Sequence, residues 1–279
     1  MPTMRFTKMH GLGNDFVVVD ASREDVLDAV GLASAVSDRH TGIGSDGLIL
    51  LRSSNAADLR MEMYNADGSR AEMCGNGIRC VAKYAVEHGL AEGPEMRIDT
   101  DAGVKPAACE WVNGRVDRVR IDMGRPVLAA KAIPAIIDAG RVVDHPFTFG
   151  DATYAITCVC VGNPHAVVFV DDLDAVRLDT VGPRIEHAPM FPNRINAHFV
   201  RVDDRTHLTM KTWERGSGAT RACGTGACAV CVAGALTHRT DRAITATLPG
   251  GRLQIEWAED DHVYMTGPAV EVYSGEWPD

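Results

Sequence analysis

Apolar and polar positions alternate in short runs along this chain, and glycine and asparagine break the runs. Met4 to Met9 alternates and predicts a strand, and Phe16 to Val19 predicts another after the turn His10 to Asp15. Glu24 to Ser37 predicts a helix with Ser22 as N-cap and acidic residues in its first turn. Thr41 to Gly47 predicts a loop feeding the apolar run Leu48 to Leu51, and Leu59 to Tyr64 alternates again. A helix beginning near Cys74 stops near Gly89, and Met96 to Met123 predicts short strands with a hairpin turn at Asn113-Gly114.

The later part repeats this order. Ala129 to Phe149, with Pro134, Gly140 and Pro146, predicts irregular structure. Strands are expected over Tyr154 to Val161 and Ala166 to Val170, and Leu173 to Ile185 is expected to contain a weak helix. A loop over Asn193 to Asn196 precedes strands over Ala197 to Val202 and His207 to Trp213. A helix follows Cys223, and Ala243 to Leu248, Arg252 to Trp257, His262 to Thr266 and Ala269 to Tyr273 predict closing strands. Strands outnumber helices, and each half holds one very apolar helix. That pattern predicts an α+β protein of two pseudo-symmetric domains, each a mostly antiparallel sheet wrapped around a central helix.

The halves are related by a repeat. Asn65 to Gly77 and Glu214 to Gly226 each carry polar residues nine positions before a cysteine and a Gly-x-Gly directly after it. Gly13-Asn14 and Gly162-Asn163 stand 60 residues before Cys74 and Cys223, so one offset of 149 superposes four landmarks. Four matches in register imply two homologous halves. The boundary is expected near residue 123: residues 1–123, completed by 268–279, form one half, and 124–267 form the other.

The chain has 279 residues and a formal net charge of −10, with no basic stripe, which argues against a nucleic-acid partner. Its apolar runs are shorter than the ~20 residues that span a bilayer. The first residues include Arg5, Lys8, Asn14 and Asp15 and no apolar signal core, so a cytoplasmic location is expected. Eight cysteines in such a setting are expected to be reduced thiols.

A thiol at a helix start faces unpaired backbone N–H groups and the positive end of the helix dipole. Both favour thiolate and are expected to lower the thiol pKa from about 8.5. The same N–H groups bind a carboxylate, and the adjacent glycines admit a ligand close to the backbone. A substrate held between two such ends would meet a thiolate base on one face and a thiol acid on the other. This suits removal of a Cα proton from an amino acid and its return to the opposite face. No Schiff-base cofactor need be invoked, since no lysine sits in either motif.

Taken together, Asn14, Asn65 to Ser69, Cys74-Gly75-Asn76-Gly77, Arg79, Gly162 to His165, Glu214 to Gly216 and Ala222 to Ala229 resemble diaminopimelate epimerase. The resemblance runs from Met4 to Tyr273. It implies interconversion of LL- and meso-diaminopimelate on the route to lysine and peptidoglycan precursors, without pyridoxal phosphate or metal. It also implies Cys74 and Cys223 as the acid/base pair. Gly75, Asn76, Gly224 and Thr225 would then hold the carboxylate at the reacting centre. Asn14, Asn65, Asn163, Asn196, Glu214 and Arg215 would bind the substrate's other polar groups. His165 and Glu214 would tune the thiols, and Tyr273 would lie at a homodimer contact. Two departures stand out: Gly47 replaces a substrate-contacting glutamine of some members, and Ala219 replaces a glutamate of many.

Other readings are weaker. Zinc at Cys223, Cys228 and Cys231 would have poor ligand spacing on one helix. Gly42 to Gly47 matches G-x-G-x-x-G, but a strand-like run follows where a dinucleotide site needs a helix. The remaining six cysteines suit small buried residues. A proline or hydroxyproline racemase would not need Glu214-Arg215. A non-catalytic module that captures an amino acid would not need two thiols.

Overall fold

The computed structural model describes residues 3–149 and 152–278. Its strands and helices run in the order β1 (Thr3–Gly11), β2 (Asn14–Asp20), α1 (Ala29–Ser37), β3 (Gly47–Arg52), β4 (Leu59–Asn65) and β5 (Arg70–Ala71). Next come α2 (Gly75–Glu87), β6 (Glu95–Thr100), β7 (Gly103–Val112), β8 (Arg115–Asp122), β9 (His145–Phe149), β10 (Ala152–Cys160) and β11 (Pro164–Phe169). The chain continues through α3 (Leu178–Glu186), β12 (Asn196–Val202), β13 (His207–Glu214), β14 (Gly218–Thr220) and α4 (Gly224–Leu236). It closes with β15 (Ala243–Leu248), β16 (Gly251–Trp257), β17 (Val263–Pro268) and β18 (Val270–Pro278). By its contacts the chain divides into one unit of Met1–Ile121 with Thr266–Asp279 and a second of Asp122–Met265.

The internal plan of the first unit recurs in the second. β1–β2 and β10–β11 are antiparallel, β2–β3 and β11–β12 parallel, and β3–β4 and β12–β13 antiparallel. Even the register recurs: Phe16 lies opposite Gly47 as His165 lies opposite Asn196, and Leu48 opposite Tyr64 as Ala197 opposite Trp213. The sheets are thus mixed, mostly antiparallel, and dominate an α+β fold. The turns before β2 and β11 are matched too, with Gly13 and Gly162 both at φ 82°, a conformation open to glycine at no steric cost.

Each sheet is covered on both faces, which is why Val17, Val18 and Val19 of β2 are all buried. In the first unit α2 packs on β1, β2 and β7, while α1 packs on β3 and β4. Phe6, Val17, Val19, Val36, Leu48 and Leu50 form the core beneath α1. In the second unit α4 packs on β10, β11, β12 and β16, and α3 on β12, β13 and β14. Buried residues run along α4 from Gly226 to Gly234 without a break; a helix of small apolar residues all round belongs inside a sheet.

Three element boundaries differ from the pattern reading. The first helix starts at Ala29 rather than Glu24, because the Asp28 carboxylate accepts from Gly31 N at 2.9 Å and caps it there. Ser22 instead donates its N–H and hydroxyl to Asp20, closing a turn. The helix expected within Leu173 to Ile185 is present as Leu178–Glu186, ending one residue later. The segment 129–149 is not wholly irregular: β9 pairs antiparallel with β10, and Ala130, Ile133, Ala135 and Val142 enter the core of the second unit. The Asn113-Gly114 hairpin turn forms between β7 and β8. The Gly42 to Gly47 loop leads into β3, as its rejection as a dinucleotide site required.

Candidate functional site

The topology explains why the polar positions recur at one end of each sheet. Asn14 opens β2, Gly47 opens the parallel β3, and Asn65 closes the antiparallel β4, opposite Gly47. In the second unit Asn163 precedes β11, Asn196 opens β12 and Glu214 closes β13. Cys74 is the N-cap of α2 and Cys223 the N-cap of α4, and both helices have 13 residues.

In the first unit the Cys74 Sγ accepts from Gly77 N at 3.5 Å and donates to Asn14 Oδ1 at 3.6 Å. Asn76 Nδ2 donates to the same oxygen at 3.1 Å, while Asn14 Nδ2 donates to Asp46 at 2.7 Å. Asn76 itself is held by the fully buried Arg79, whose guanidinium donates to Asn76 Oδ1 at 2.9 Å and to Gly75 O at 2.8 Å. Asn65 sits in a tight turn and donates Nδ2 to Ser69 Oγ at 2.9 Å. A Cβ at Gly47 would lie 2.4 Å from the Tyr64 carbonyl oxygen. No side chain enters there without a shift of the β3–β4 pair.

In the second unit Cys223 is buried, and its Sγ lies 3.6 Å from Thr225 Oγ1. Burial first, then the neighbouring Glu214 carboxylate, pushes this thiol well above its ordinary value. That overturns the expectation from the helix start: at Cys223, loss of water outweighs the N-terminal field. Glu214 is also pushed up by burial, against the hydrogen bond it accepts from Thr220 at 2.5 Å. Asn196 donates to Pro164 O at 2.8 Å and accepts from Arg215 N at 2.9 Å. The Arg215 side chain is exposed and spends one donor on Asn193 O at 3.1 Å. Ala219 lies exposed in β14.

His165 is fully buried and joined to His198, a residue the pattern reading missed. With Asn163 Oδ1 accepting from His165 Nε2 at 2.8 Å, His165 Nδ1 accepts from His198 Nε2 at 2.9 Å. His198 Nδ1 then accepts from the Thr212 hydroxyl at 3.0 Å. Burial, with His198 and Arg215 nearby, holds His165 well below the usual histidine value, and burial pushes His198 down to about 3. Both rings are therefore neutral near pH 7. His165, His198 and Cys223 offer three donor atoms within 4.8 Å of one another. Yet both nitrogens of each ring are engaged in hydrogen bonds, which a zinc ion at about 2 Å would have to break.

These rings make stability depend on pH. A histidine held below its ordinary value binds a proton more readily in the unfolded chain, so stability falls as pH drops below about 6.5. For His198 the loss continues toward pH of about 3. The expected slope is about 1.4 kcal/mol per pH unit for each such ring. Urea unfolding between pH 7 and 4 should show the slope reduced by one proton in His198→Gln. An unchanged slope would mean that His198 gains no proton on unfolding.

Other contributors lay outside the motifs. Buried Glu186 of α3 accepts from Trp213 Nε1 at 2.7 Å and Gly216 N at 3.0 Å, fixing the turn that carries Arg215. Nothing local marks it. His198 had a signal: it lies two residues after Asn196 and shares its face of the strand. Of the other cysteines, Cys80, Cys109, Cys158, Cys228 and Cys231 are buried as expected and Cys160 is half-buried; burial pushes Cys80, Cys158 and Cys231 up to about 12 and Cys109 to about 11. Tyr273 lies on β18, 46% exposed, with its ring edge-on to Phe6 at 6.0 Å.

A family described as diaminopimelate epimerase matches the chain over residues 6–129 and 157–272. A diaminopimelate epimerase of Moorella thermoacetica is 53% identical over 277 residues, covering 99% of each chain. One of Methanococcus maripaludis is 46% identical over 274 residues, covering 98% of this chain and 99% of that one. Among solved structures, a phenazine biosynthesis protein of the PhzF family from Bacillus anthracis superposes with a TM-score of 0.72 at 18% identity, covering 100% of both chains. A hydroxyproline epimerase from Agrobacterium vitis has a TM-score of 0.68 at 15% identity, covering 99% of this chain and 92% of that one. At such identities these two structures speak for the fold alone. No helix among the described residues is long and apolar enough to cross a membrane.

Proposed function

Because the chain belongs to the diaminopimelate epimerase family, and so to the isomerases by reaction type, we propose that it interconverts LL- and meso-diaminopimelate by two-thiol proton transfer at Cα. No cofactor and no metal take part. The two homologous halves, 1–123 with 268–279 and 124–267, each supply one thiol. The reaction needs one cysteine as thiolate to take the Cα proton and the other as thiol to return a proton to the opposite face. The pair ends with its protonation exchanged: in that state it is set for the reverse reaction, and exchange of thiol protons with water resets it for another forward turnover.

The observation that carries this reading is the matched pair of cysteines, each the N-cap of a 13-residue helix followed by Gly-x-Gly. First-turn N–H groups of Gly75, Asn76, Gly224 and Thr225 suit the carboxylate whose charge grows as the carbanion forms. The exposed Arg215 guanidinium suits the distal carboxylate, and Asn14, Asn65, Asn163, Asn196 and Glu214 suit the ammonium groups and remaining oxygens. Cys223, kept protonated by burial and Glu214, suits the proton donor. Neutral His165 holds Asn163 by a hydrogen bond, and in this reading His165 and Glu214 tune the thiols. The protein acts in lysine and peptidoglycan precursor biosynthesis in the cytoplasm, on a small molecule rather than nucleic acid or membrane. Exposed Val270, Val272 and Tyr273 of β18 favour a homodimer contact there.

The test is Cα hydrogen exchange in heavy water with LL-diaminopimelate, reductant and no added pyridoxal phosphate. Deuterium entry with formation of the meso isomer is expected. Exchange on proline or hydroxyproline alone would point to a racemase, and binding without exchange to a capture module.

A further inference from the structure

Taking Cys74 as one of the two reacting thiols, as proposed above, we infer that Asp46 and Arg79 are positioning residues. They set the direction of a side-chain amide relay, Asn76 to Asn14, so that the Asn14 carbonyl and not its NH2 faces the Cys74 thiol.

An amide side chain presents an oxygen or an NH2 with nearly the same shape, so its neighbours decide which way it points. At one end of this relay stands a carboxylate. Asp46 Oδ2 lies 2.7 Å from the Asn14 amide nitrogen and 3.1 Å from Asp15 N. A carboxylate only accepts, so Asn14 must turn its NH2 toward Asp46 and its oxygen away. At the other end stands a guanidinium, which only donates. Arg79 lies 2.9 Å from Asn76 Oδ1, so Asn76 must turn its oxygen toward Arg79 and its NH2 toward Asn14. Both ends impose the same direction, and the middle bond, Asn76 Nδ2 to Asn14 Oδ1 at 3.1 Å, agrees with it. Asn14 Oδ1 is left to accept the Cys74 S–H at 3.6 Å.

Both end groups are anchored. Arg79 is fully buried and also donates to Gly75 O and Pro268 O. Arg39 holds Asp46 Oδ1 at 2.9 Å and Asp15 at 2.7 Å. Although burial pushes the Asp15 carboxyl up, its hydrogen bonds from Arg39 and Lys8 hold it below the usual range. The charged groups tied into this network are Arg79 on α2, Lys8 on β1, Asp15 on β2, and Arg39 and Asp46 on the connection to β3.

The consequence lies in the thiol's titration. A carbonyl accepting S–H stabilises the thiol, while an amide turned over would donate N–H to the thiolate and stabilise that instead. Removing Asp46 leaves Asn76 alone, of the two ends, to oppose a turn of Asn14, and a thiolate at Cys74 favours the turn that brings it an N–H. The readout is alkylation of the Cys74 peptide by iodoacetamide as a function of pH. Asp46→Ala should move the Cys74 profile about one pH unit lower, a tenfold change in the thiolate ratio. Asp46→Asn removes the same charge but keeps an acceptor oxygen for Asn14, so its profile should stay with the unmutated protein. The Asn14→Ala/Asp46→Ala double variant should show no shift relative to Asn14→Ala. The Asp46 side chain is 43% exposed, so truncation is compatible with folding, and Asp46→Ser provides a second truncation.

Equal shifts in Asp46→Ala and Asp46→Asn would reduce the effect to lost charge and overturn the relay. A shift that persists without Asn14 would overturn it as well. Since alkylation is read rather than turnover, a protein inactive on diaminopimelate would sink the functional reading and leave this measurement intact.

Discussion

Cys74→Ala and Cys223→Ala are each expected to lower Cα deuterium exchange and meso-diaminopimelate formation by about 10²–10⁴-fold, the usual share of a positioned acid or base. The two thiols do not start from equal positions. Cys74 is half-buried; it accepts a helix N–H from Gly77, which favours thiolate, and donates its S–H to Asn14 Oδ1, which favours thiol. Cys223 is buried beside Glu214 and stays protonated well past the ordinary thiol range. Cys223 is thus held as the acid, which leaves the role of base to Cys74, and either deletion stops a cycle that uses both. Residues that act as one unit are not additive, so Cys74→Ala/Cys223→Ala should be little worse than either single variant. The measurement is kcat/KM for isomer formation at several pH values, with deuterium wash-in followed by mass spectrometry. A single variant that retained more than about a tenth of the activity would not fit a two-base mechanism.

Gly226→Ala is expected to destabilise the protein by roughly 3 kcal/mol or more, whereas Gly77→Ala at the matching position of the other helix should change stability by less than about 1 kcal/mol. Alanine ordinarily improves a helix over glycine by about 1 kcal/mol, so propensity alone predicts a gain at both. At Gly226 the new Cβ would stand 2.3 Å from His198 Cε1, 2.8 Å from Nε2 and 2.9 Å from Nδ1. His198 has no exposed surface and is tied on one side to His165 and on the other to Thr212. It cannot withdraw without leaving buried nitrogens unpaired. At Gly77 the nearest atoms are Ile49 Cδ1 at 3.0 Å and Met61 Cε at 3.1 Å, the free ends of flexible side chains. They move a few tenths of an ångström at little cost. Urea unfolding of the two variants side by side decides the matter. Equal losses would mean that the His165–His198 pair yields as easily as two aliphatic chains.

These two glycines show the limit of reading the chain by its repeat. At an offset of 149 residues they are the same position in the same motif, Cys-Gly-x-Gly, and the strands around them share one register. Only packing distinguishes them, because β12 aims a histidine at one and β3 an isoleucine at the other.

Whatever depends on local order was legible in the chain alone. Alternation set the strands, the run of small residues in α4 marked a helix meant for burial, and the repeat paired Cys74 with Cys223 and Asn14 with Asn163. Those signals lie within a few residues of one another or recur at one spacing, so they survive without coordinates. The tertiary structure decided the rest. Asp28 rather than Ser22 caps the first helix, because the Asp20 carboxylate holds Ser22 in a turn. Cys223 is pushed toward thiol rather than thiolate, since the desolvation of a side chain is a property of everything packed around it. Asp46, Arg79, Glu186 and His198 join the site through contacts between residues remote in the chain or through the facing of a buried helix. The charge and hydrogen-bond environment of a thiol is summed over neighbours in space, and a sequence records only neighbours along the chain.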